Sequence, residues 1–470
     1  MEATVVLVTR TGVPHRAVRR KRAETAAKGI VASTPPTSSF SDIPSVEGLR
    51  VCIVYDCLFP WTIGGAERWY RELAERFAEA GAQVTYLTIR QWKEEPHIRD
   101  VRVVAVAPRQ NLYKSDGTRR FGPPIRFGVG VFGWLAYNRK EVDAVHIANF
   151  PYFSFLAAKL ALLGTGTPIR VDWLEVWPKD FWRQYAGPLA GNVGYWVQEA
   201  CIALSSHSFV FWEHTADRLR SRRLARRITV LPGLLPPAGD AQDASSPVRS
   251  TVAGPVPRVG HPFVLFAGRH IKDKGVRDLA PALAEARTEI SDLQLVMVGE
   301  GPETSFVKDS LHQLGLTDSV IFPGKVDDDT LSILLEHAAC LVVASIREGY
   351  GMMVVEASSK GTPSVVAGHP ENAATGHIIE SINGYVVEPT PKGLGRGIIR
   401  VIENGTPLRN TTKVWYDCRA SSMTVTRSAE AVIALYAAEQ KVDSRIGNLR
   451  KATGISVLLH WIAVRLRAIR

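Results

Sequence analysis

The sequence predicts an α/β protein built from two Rossmann-like domains that face each other across a cleft. Three observations predict it. Short runs rich in Val, Ile and Leu alternate with amphipathic helical stretches along most of the chain, as parallel sheets covered by helices require. The alternation comes in two series, separated once by a Pro-, Gly-, Ala- and Ser-rich stretch. Each series opens on a strand followed by a glycine-bearing loop, and ligands of such sheets bind beyond the carboxyl ends of the strands.

Taken in order, residues 1–48 mix Arg-rich and Ser/Thr/Pro-rich segments without periodicity and read as a disordered basic tail. The Arg/Ser bias resembles a transit peptide, against which Glu2 and Glu24 count. Order begins at Leu49. Arg50–Tyr55 is a buried strand, Ile63-Gly64-Gly65 a glycine loop, and Ala66–Ala80 a helix carried by Trp69, Leu73 and Phe77 and stopped by Gly81. Strands follow at 84–88, 101–106, 144–147, 169–172, 208–211 and 228–231, completing a first domain over 49–235. Residues 236–262 are the linker. A second domain over 263–415 has strands at 263–267, 293–298, 320–322, 340–344, 364–366 and 385–387. A C-terminal helix over 416–440 is placed to return to the first domain, and 441–470 is a basic amphipathic tail.

The 470 residues suffice for two domains plus tails. No apolar run reaches the length of a membrane span; the best candidates, 152–163 and 455–466, carry Lys159, His460 and Arg465. No secretory signal is visible. Five scattered cysteines without metal-ligand spacing argue for a reducing compartment and against structural zinc. The expectation is a cytoplasmic protein. Net charge is +11, but residues 1–50 carry eight Lys/Arg against four Asp/Glu and residues 441–470 seven against one, so the body is near neutral. A nucleic-acid partner is therefore not expected. Basic tails fit either an anionic inner-membrane surface, with the protein peripheral to it, or unspecific solvated ends. In the second tail Ile455, Leu458, Leu459, Ile462, Leu466 and Ile469 recur at helical spacing.

The richest motif sets Glu348 and Glu356 eight positions apart around a Gly349-Tyr350-Gly351 turn, at a strand-to-helix junction. The helix N-terminus there has N–H groups free for an anion. The carboxylates would accept hydrogen bonds from sugar and ribose hydroxyls, so the pair suggests a nucleotide-sugar site. Arg269 and Lys274 follow the first strand of the second series and offer a planar fork and a mobile point charge for phosphate; a charged surface loop is the competing reading. Gly64-Gly65 and Gly299-Glu300-Gly301 allow close backbone approach to a ligand, or simply make tight turns. Gly368–Ala374, with His369 and Glu371, reads as a polar loop around a sugar ring. Glu175, after the strand ending at Asp172, is a candidate cleft carboxylate, while Trp173, Trp177 and Trp182 read as packing.

Together these residues resemble the retaining GT-B glycosyltransferases of the family-four type, glycosyltransferase group 1, from about Arg50 to Ala437. The resemblance rests on Gly-Gly-Ala-Glu at 64–67, Gly-Arg…Lys-Gly at 268–275, Gly-Glu-Gly-Pro at 299–302, the Glu-x₇-Glu element and Asn383-Gly384. It implies that Arg269 and Lys274 grip the donor pyrophosphate and Glu356 the ribose. Glu348 contacts the sugar or supports the reacting centre, and the backbone at Gly351, Met352 and Met353 faces the phosphates. Gly64 and Gly65 close from the acceptor side, with Gly299 near the nucleotide. It also implies retention of configuration, no metal and no cofactor beyond a UDP- or GDP-linked co-substrate, and a saccharide or lipid-linked acceptor in polysaccharide, glycolipid or glycoconjugate synthesis. One departure stands out. Relatives commonly place His in the segment resembling 172–177, where this chain has Leu174. The alternatives are therefore a nucleotide-sugar-binding pseudoenzyme, or other GT-B chemistry such as epimerisation. His146 and His369 are candidate substitutes, or satisfied structural histidines.

Overall fold

A computed structural model describes residues 44–453, apart from 63, 113–118, 121, 223–226 and 236–260, with backbone alone over 442–453. Most of the expected N-terminal tail and linker, and the apolar stripe of the C-terminal tail, lie outside the described residues.

The first unit runs β1 (Arg50–Val54), α1 (Gly65–Glu79), β2 (Gln83–Ile89), β3 (Val101–Ala107), α2 (Gly122–Tyr137), β4 (Ala144–Ala148), α3 (Tyr152–Ala161), β5 (Ile169–Asp172), α4 (Lys179–Ala186), α5 (Pro188–Leu204), β6 (His207–Val210), α6 (Glu213–Arg220), β7 (Arg227–Val230). Its parallel sheet has the order β3-β2-β1-β4-β5-β6-β7. Both faces are covered, which is why β1 is apolar from Val51 to Val54 rather than alternating. Trp69, Tyr70, Leu73 and Phe77 of α1 fill one face. Phe127 and Val131 of α2, Phe155 of α3 and Ile202 of α5 fill the other. Each such fully buried side chain contributes about 1.5–3 kcal/mol.

The second unit runs β8 (Phe263–Ala267), α7 (Leu279–Arg287), β9 (Gln294–Val298), α8 (Thr304–Gln313), β10 (Val320–Gly324), α9 (Asp328–His337), β11 (Cys340–Val343), β12 (Arg347–Glu348), α10 (Met352–Ser359), β13 (Ser364–Ala367), β14 (Glu371–Asn372), β15 (Gly384–Val387), α11 (Pro391–Ala420), and α12 (Val425–Thr453) follows it in the chain. The main sheet is β10-β9-β8-β11-β13-β15, and β12 pairs with β14 in a separate two-stranded ribbon. In both sheets the strand order reverses beside the first strand, between β1 and β4 and between β8 and β11. That switch point opens a crevice at the carboxyl ends.

The chain end differs from the expected partition at 416. Helix α11 continues to Ala420 past a non-helical Gly405 (φ 45°, ψ −134°) and Pro407, and α12 begins only at Val425. Leu235 and Thr424 form a bridge, and Val425 N–H donates to the Leu235 carbonyl at 2.8 Å. Helix α12 then lies along α1, with the Tyr436 and Phe77 rings 5.0 Å apart. The last helix is thus part of the first unit's core.

Candidate active site

Beyond β11 the chain leaves the sheet through Ala344 and Ser345, pairs briefly as β12, turns at Gly349–Gly351 and enters α10. Gly351 has φ 91°, and a Cβ there would lie 2.6 Å from the Ala374 Cα, so only glycine fits. Helix α10 has no side-chain N-cap, which leaves its first N–H groups at Met352 and Met353 without that partner. Glu348 Oε1 accepts from Lys274 Nζ at 2.5 Å and from Ser345 Oγ at 2.8 Å. The backbone fixes this pairing: Ile346 N–H donates to the Asp273 carbonyl at 2.9 Å. The loop after β8 and the loop after β11, neighbours at the switch point, therefore deliver Lys274 and Glu348 to one place.

Glu356 lies one turn further along α10, half-buried. Burial raises its pKa above the ordinary carboxylate range; Arg68 of α1 opposes that and Asp328 reinforces it. Arg68 also reaches Asp328 at 3.4 Å, so Glu356 sits where the first unit meets the second. Met352 is beside Gly65, its Cγ 3.6 Å from where a Cβ on that glycine would be. Gly299 (φ 110°) lets the ends of β8 and β9 touch: a Cβ there would lie 2.0 Å from the Gly268 carbonyl oxygen.

The first unit faces this with Asp56, fully buried just past β1 and paired with Arg119. The Arg119 guanidinium lies 4.8 Å from the Phe150 ring centroid. Burial raises the Asp56 pKa, opposed by Arg119. Glu67 behaves similarly: burial raises its pKa, Asp56 pushes it further, and Arg119 and Arg269 pull it down. Exposed Arg269 of the second unit thus acts electrostatically on the Gly64–Glu67 loop of the first. Gly64 is extended (φ −177°), and a Cβ there would sit 2.3 Å from Glu67 Oε2. The carboxylate folds over the glycine.

Two expected sugar-facing carboxylates are held elsewhere. Glu371 is gripped by both terminal nitrogens of Arg218, one of them at 2.5 Å, and Arg218 also donates to the Val176 carbonyl at 2.7 Å. Glu175 accepts from Arg347 at 2.7 Å and from Trp177 Nε1 at 2.6 Å, while Arg347 also reaches Asp273 at 3.0 Å. Both pairs cross between the two units, so Glu175 and Glu371 clamp the cleft wall rather than presenting open acceptors to a sugar. His369 is half-buried where β13 hands over to β14, and its Nδ1 has no protein partner. His146 is no substitute for the missing histidine. It is wholly buried, with Nε2 2.8 Å from Asp172 and Nδ1 3.1 Å from the Tyr436 hydroxyl. Leu174 packs half-buried against the first core, and its carbonyl oxygen lies 3.6 Å from where a Cβ on Gly349 would sit.

Asp56, Arg119, Arg218 and Arg347 sit at the candidate site and were missed by sequence reasoning. Asp56 carried a signal, being a carboxylate at the carboxyl end of the first strand. Arg347 directly precedes the first glutamate of the pair. Arg119 and Arg218 carried none.

Comparison with known proteins decides the family. The Glycosyl transferases group 1 family matches residues 253–414, and the Glycosyl transferase 4-like domain matches residues 64–233. This chain belongs to the group 1 glycosyltransferases. The enzyme is 27% identical over 311 residues to the 2-deoxystreptamine glucosyltransferase of Streptomyces kanamyceticus, covering 55% of this chain and 78% of that one. It is 32% identical over 147 residues to an uncharacterised glycosyltransferase of Methanocaldococcus jannaschii, covering 30% of this chain and 36% of that one. Among solved structures, sucrose-phosphate synthase from Thermosynechococcus elongatus superposes with a TM-score of 0.65 at 19% identity, over 84% of this chain and 100% of that one. Anabaena HepE in complex with UDP-glucose does so at 0.57 and 15%, also over 84% and 100%. These likenesses make the glycosyltransferase a GT-B fold. Among the described residues no helix is long and apolar enough to cross a membrane.

Proposed function

We propose that this glycosyltransferase moves a sugar from a UDP- or GDP-linked donor to a hydroxyl of a saccharide or lipid-linked acceptor, with retention and without a metal. The observation that carries this reading is the convergence of Lys274, Glu348 and the uncapped start of α10 at the switch point of the second sheet, opposite Gly64–Gly65. Breaking the bond from sugar to nucleoside diphosphate develops negative charge on the leaving group. Lys274, Arg269 and the α10 N–H groups would stabilise that charge as fixed donors, needing no reorganisation at the moment of reaction. Glu356, one face along the same helix, would accept the ribose hydroxyls, and Glu348 would meet the sugar. That a relative was solved with UDP-glucose supports a uridine donor first. The test is a thermal-shift screen against a nucleotide-sugar panel. The true donor at about 100 times its dissociation constant should stabilise by roughly 2.7 kcal/mol. NMR of the product anomer tests retention, and turnover in EDTA tests metal independence. A panel with no stabilising member removes the reading.

Leu174 motivates a second reading, a donor-binding protein that turns over little or nothing, because leucine offers the reacting centre neither donor nor acceptor. On that reading Leu174→His raises transfer or donor hydrolysis. Wild-type turnover at about 1–10³ s⁻¹, ordinary for enzymes, rules it out and shows that the histidine is dispensable here.

A further inference from the structure

Three neighbouring helices on one flank of the first sheet turn apolar faces to solvent. Helix α5 is the clearest case. Its inward side already holds Gln198, Cys201 and Ile202, yet every exposed position on it is apolar, including Leu189, Val193 and Trp196. A helix face this apolar is normally buried; here Leu189 is 84% and Trp196 64% exposed. Helix α3 lies beside α5, with the Tyr152 hydroxyl 3.1 Å from Gln198 Oε1. It exposes Leu160, with Leu163 just beyond it. Helix α2 lies beside α3 so closely that a Cβ on Gly128 would come 3.0 Å from the Phe153 backbone, and it exposes Val129 and Tyr137, the latter 91%. Three adjacent helices with the same fault make a patch, which scattered surface hydrophobics do not.

The charge around this patch identifies its partner. The sole ionisable side chains on α2 and α3 capable of carrying charge at neutral pH are Arg126 and Lys159. On α5 the one carboxylate, Glu199, is tied to Arg222 at 3.2 Å. Arg139 and Lys140 follow α2 against one exposed carboxylate, Glu141, since Asp143 is held by Arg50. At this lower edge the flank adjoins a cavity of about 680 Å³ lined in part by Arg139, Lys140, Thr165 and Thr167, in which the carboxylates Asp143 and Glu439 are paired with Arg50 and Arg170. An apolar field with a cationic border and Trp and Tyr within it matches the headgroup–acyl boundary of an anionic bilayer. A second copy of the chain fits less well, because a two-fold contact sets the same patch against itself and brings its cations together.

We propose that the α2–α3–α5 flank docks on an anionic lipid bilayer. Val193, Trp196, Leu189 and Leu160 enter the headgroup–acyl boundary, while Arg126, Arg139 and Lys140 meet headgroup phosphates. The docking surface uses other residues than the C-terminal tail and does not depend on which donor the enzyme uses. Flotation of the full chain with phosphatidylcholine vesicles, with and without phosphatidylglycerol, tests it. The wild type should bind the phosphatidylglycerol vesicles at low salt. Val193→Asp/Trp196→Asp and Arg139→Glu/Lys140→Glu should each weaken that binding by about tenfold or more, with melting temperature and donor-induced thermal shift unchanged. Arg465→Gln/Arg467→Gln/Arg470→Gln in the tail should weaken it less. Should the aspartates lower the melting temperature, the Arg139/Lys140 reversal decides alone. Three results overturn the proposal: no vesicle binding by the wild type, binding that follows only the tail variant, or a dimer in light scattering that Val193→Asp/Trp196→Asp dissociates while vesicles are ignored.

Discussion

Replacing Lys274 with alanine is expected to lower sugar transfer by about 10²–10³-fold and to weaken a nucleoside diphosphate far more than the matching nucleoside. The ammonium is held 2.5 Å from Glu348 Oε1, and the loop carrying it is fixed by the Ile346–Asp273 backbone bond, so its charge is already in place when the leaving group forms. Each lost hydrogen bond to a charged group is worth about 1.5–3 kcal/mol. Arg269→Ala should add to the effect, since the exposed Arg269 belongs to the same loop. Lys274→Ala has a second consequence, because Glu348 keeps only Ser345 of these two partners. The Lys274→Ala/Glu348→Gln double variant separates the two effects. If lysine acts only by mooring Glu348, then calorimetry shows diphosphate and nucleoside weakened equally, and the double variant is no worse than Glu348→Gln. That result would remove the pyrophosphate role.

What could be read from the chain was what leaves a local pattern. The strands of the two main sheets were legible within a residue or two because parallel strands covered on both faces are continuous runs of Val, Ile and Leu, whereas the short β12–β14 ribbon was not. Lys274, Glu348 and Glu356 could be picked out as candidates because they lie in the loops, or the helix start, that follow strand ends, which a doubly wound sheet turns toward its ligand. The ion pairs were not. Arg347 reaches Glu175 172 positions away and Arg218 reaches Glu371 153 positions away, and a lone arginine carries no sign of its partner. Both glutamates could therefore be placed at the cleft but not recognised as clamped. His146 was ambiguous for the same reason, since Tyr436, 290 positions on, decides its role. Helix α11 was hidden by composition. Glycine disfavours a helix interior, yet a Cβ on Gly395 or Gly397 would meet Glu285 or Val365 below 3 Å. Tight packing, not propensity, selects them there.

Glu356→Gln is expected to weaken donor binding by about 1–3 kcal/mol while leaving the fold at neutral pH as stable as before, or slightly more so. The direction follows from linkage. Burial raises the folded-state pKa of Glu356 above the ordinary value, with Arg68 only partly compensating. The folded protein then binds the Glu356 proton more tightly than the unfolded chain, so the ionised carboxylate is a destabilising element above its folded pKa. This is relieved as pH falls through that value. Glutamine removes the buried charge and its penalty. Donor binding runs the other way. An ionised carboxylate accepts from two ribose hydroxyls, so wild-type affinity should be full at neutral pH and fall as acidification protonates Glu356, at a pH above that of an ordinary glutamate. Glu356→Gln should lack that step. A stability gain paired with a binding loss marks a group kept for its ligand rather than for the fold. Calorimetry of the donor across pH, with urea melts of both proteins, reads all three. An unchanged affinity at neutral pH in a folded Glu356→Gln protein would end the ribose assignment, and a large loss of stability would make the residue structural.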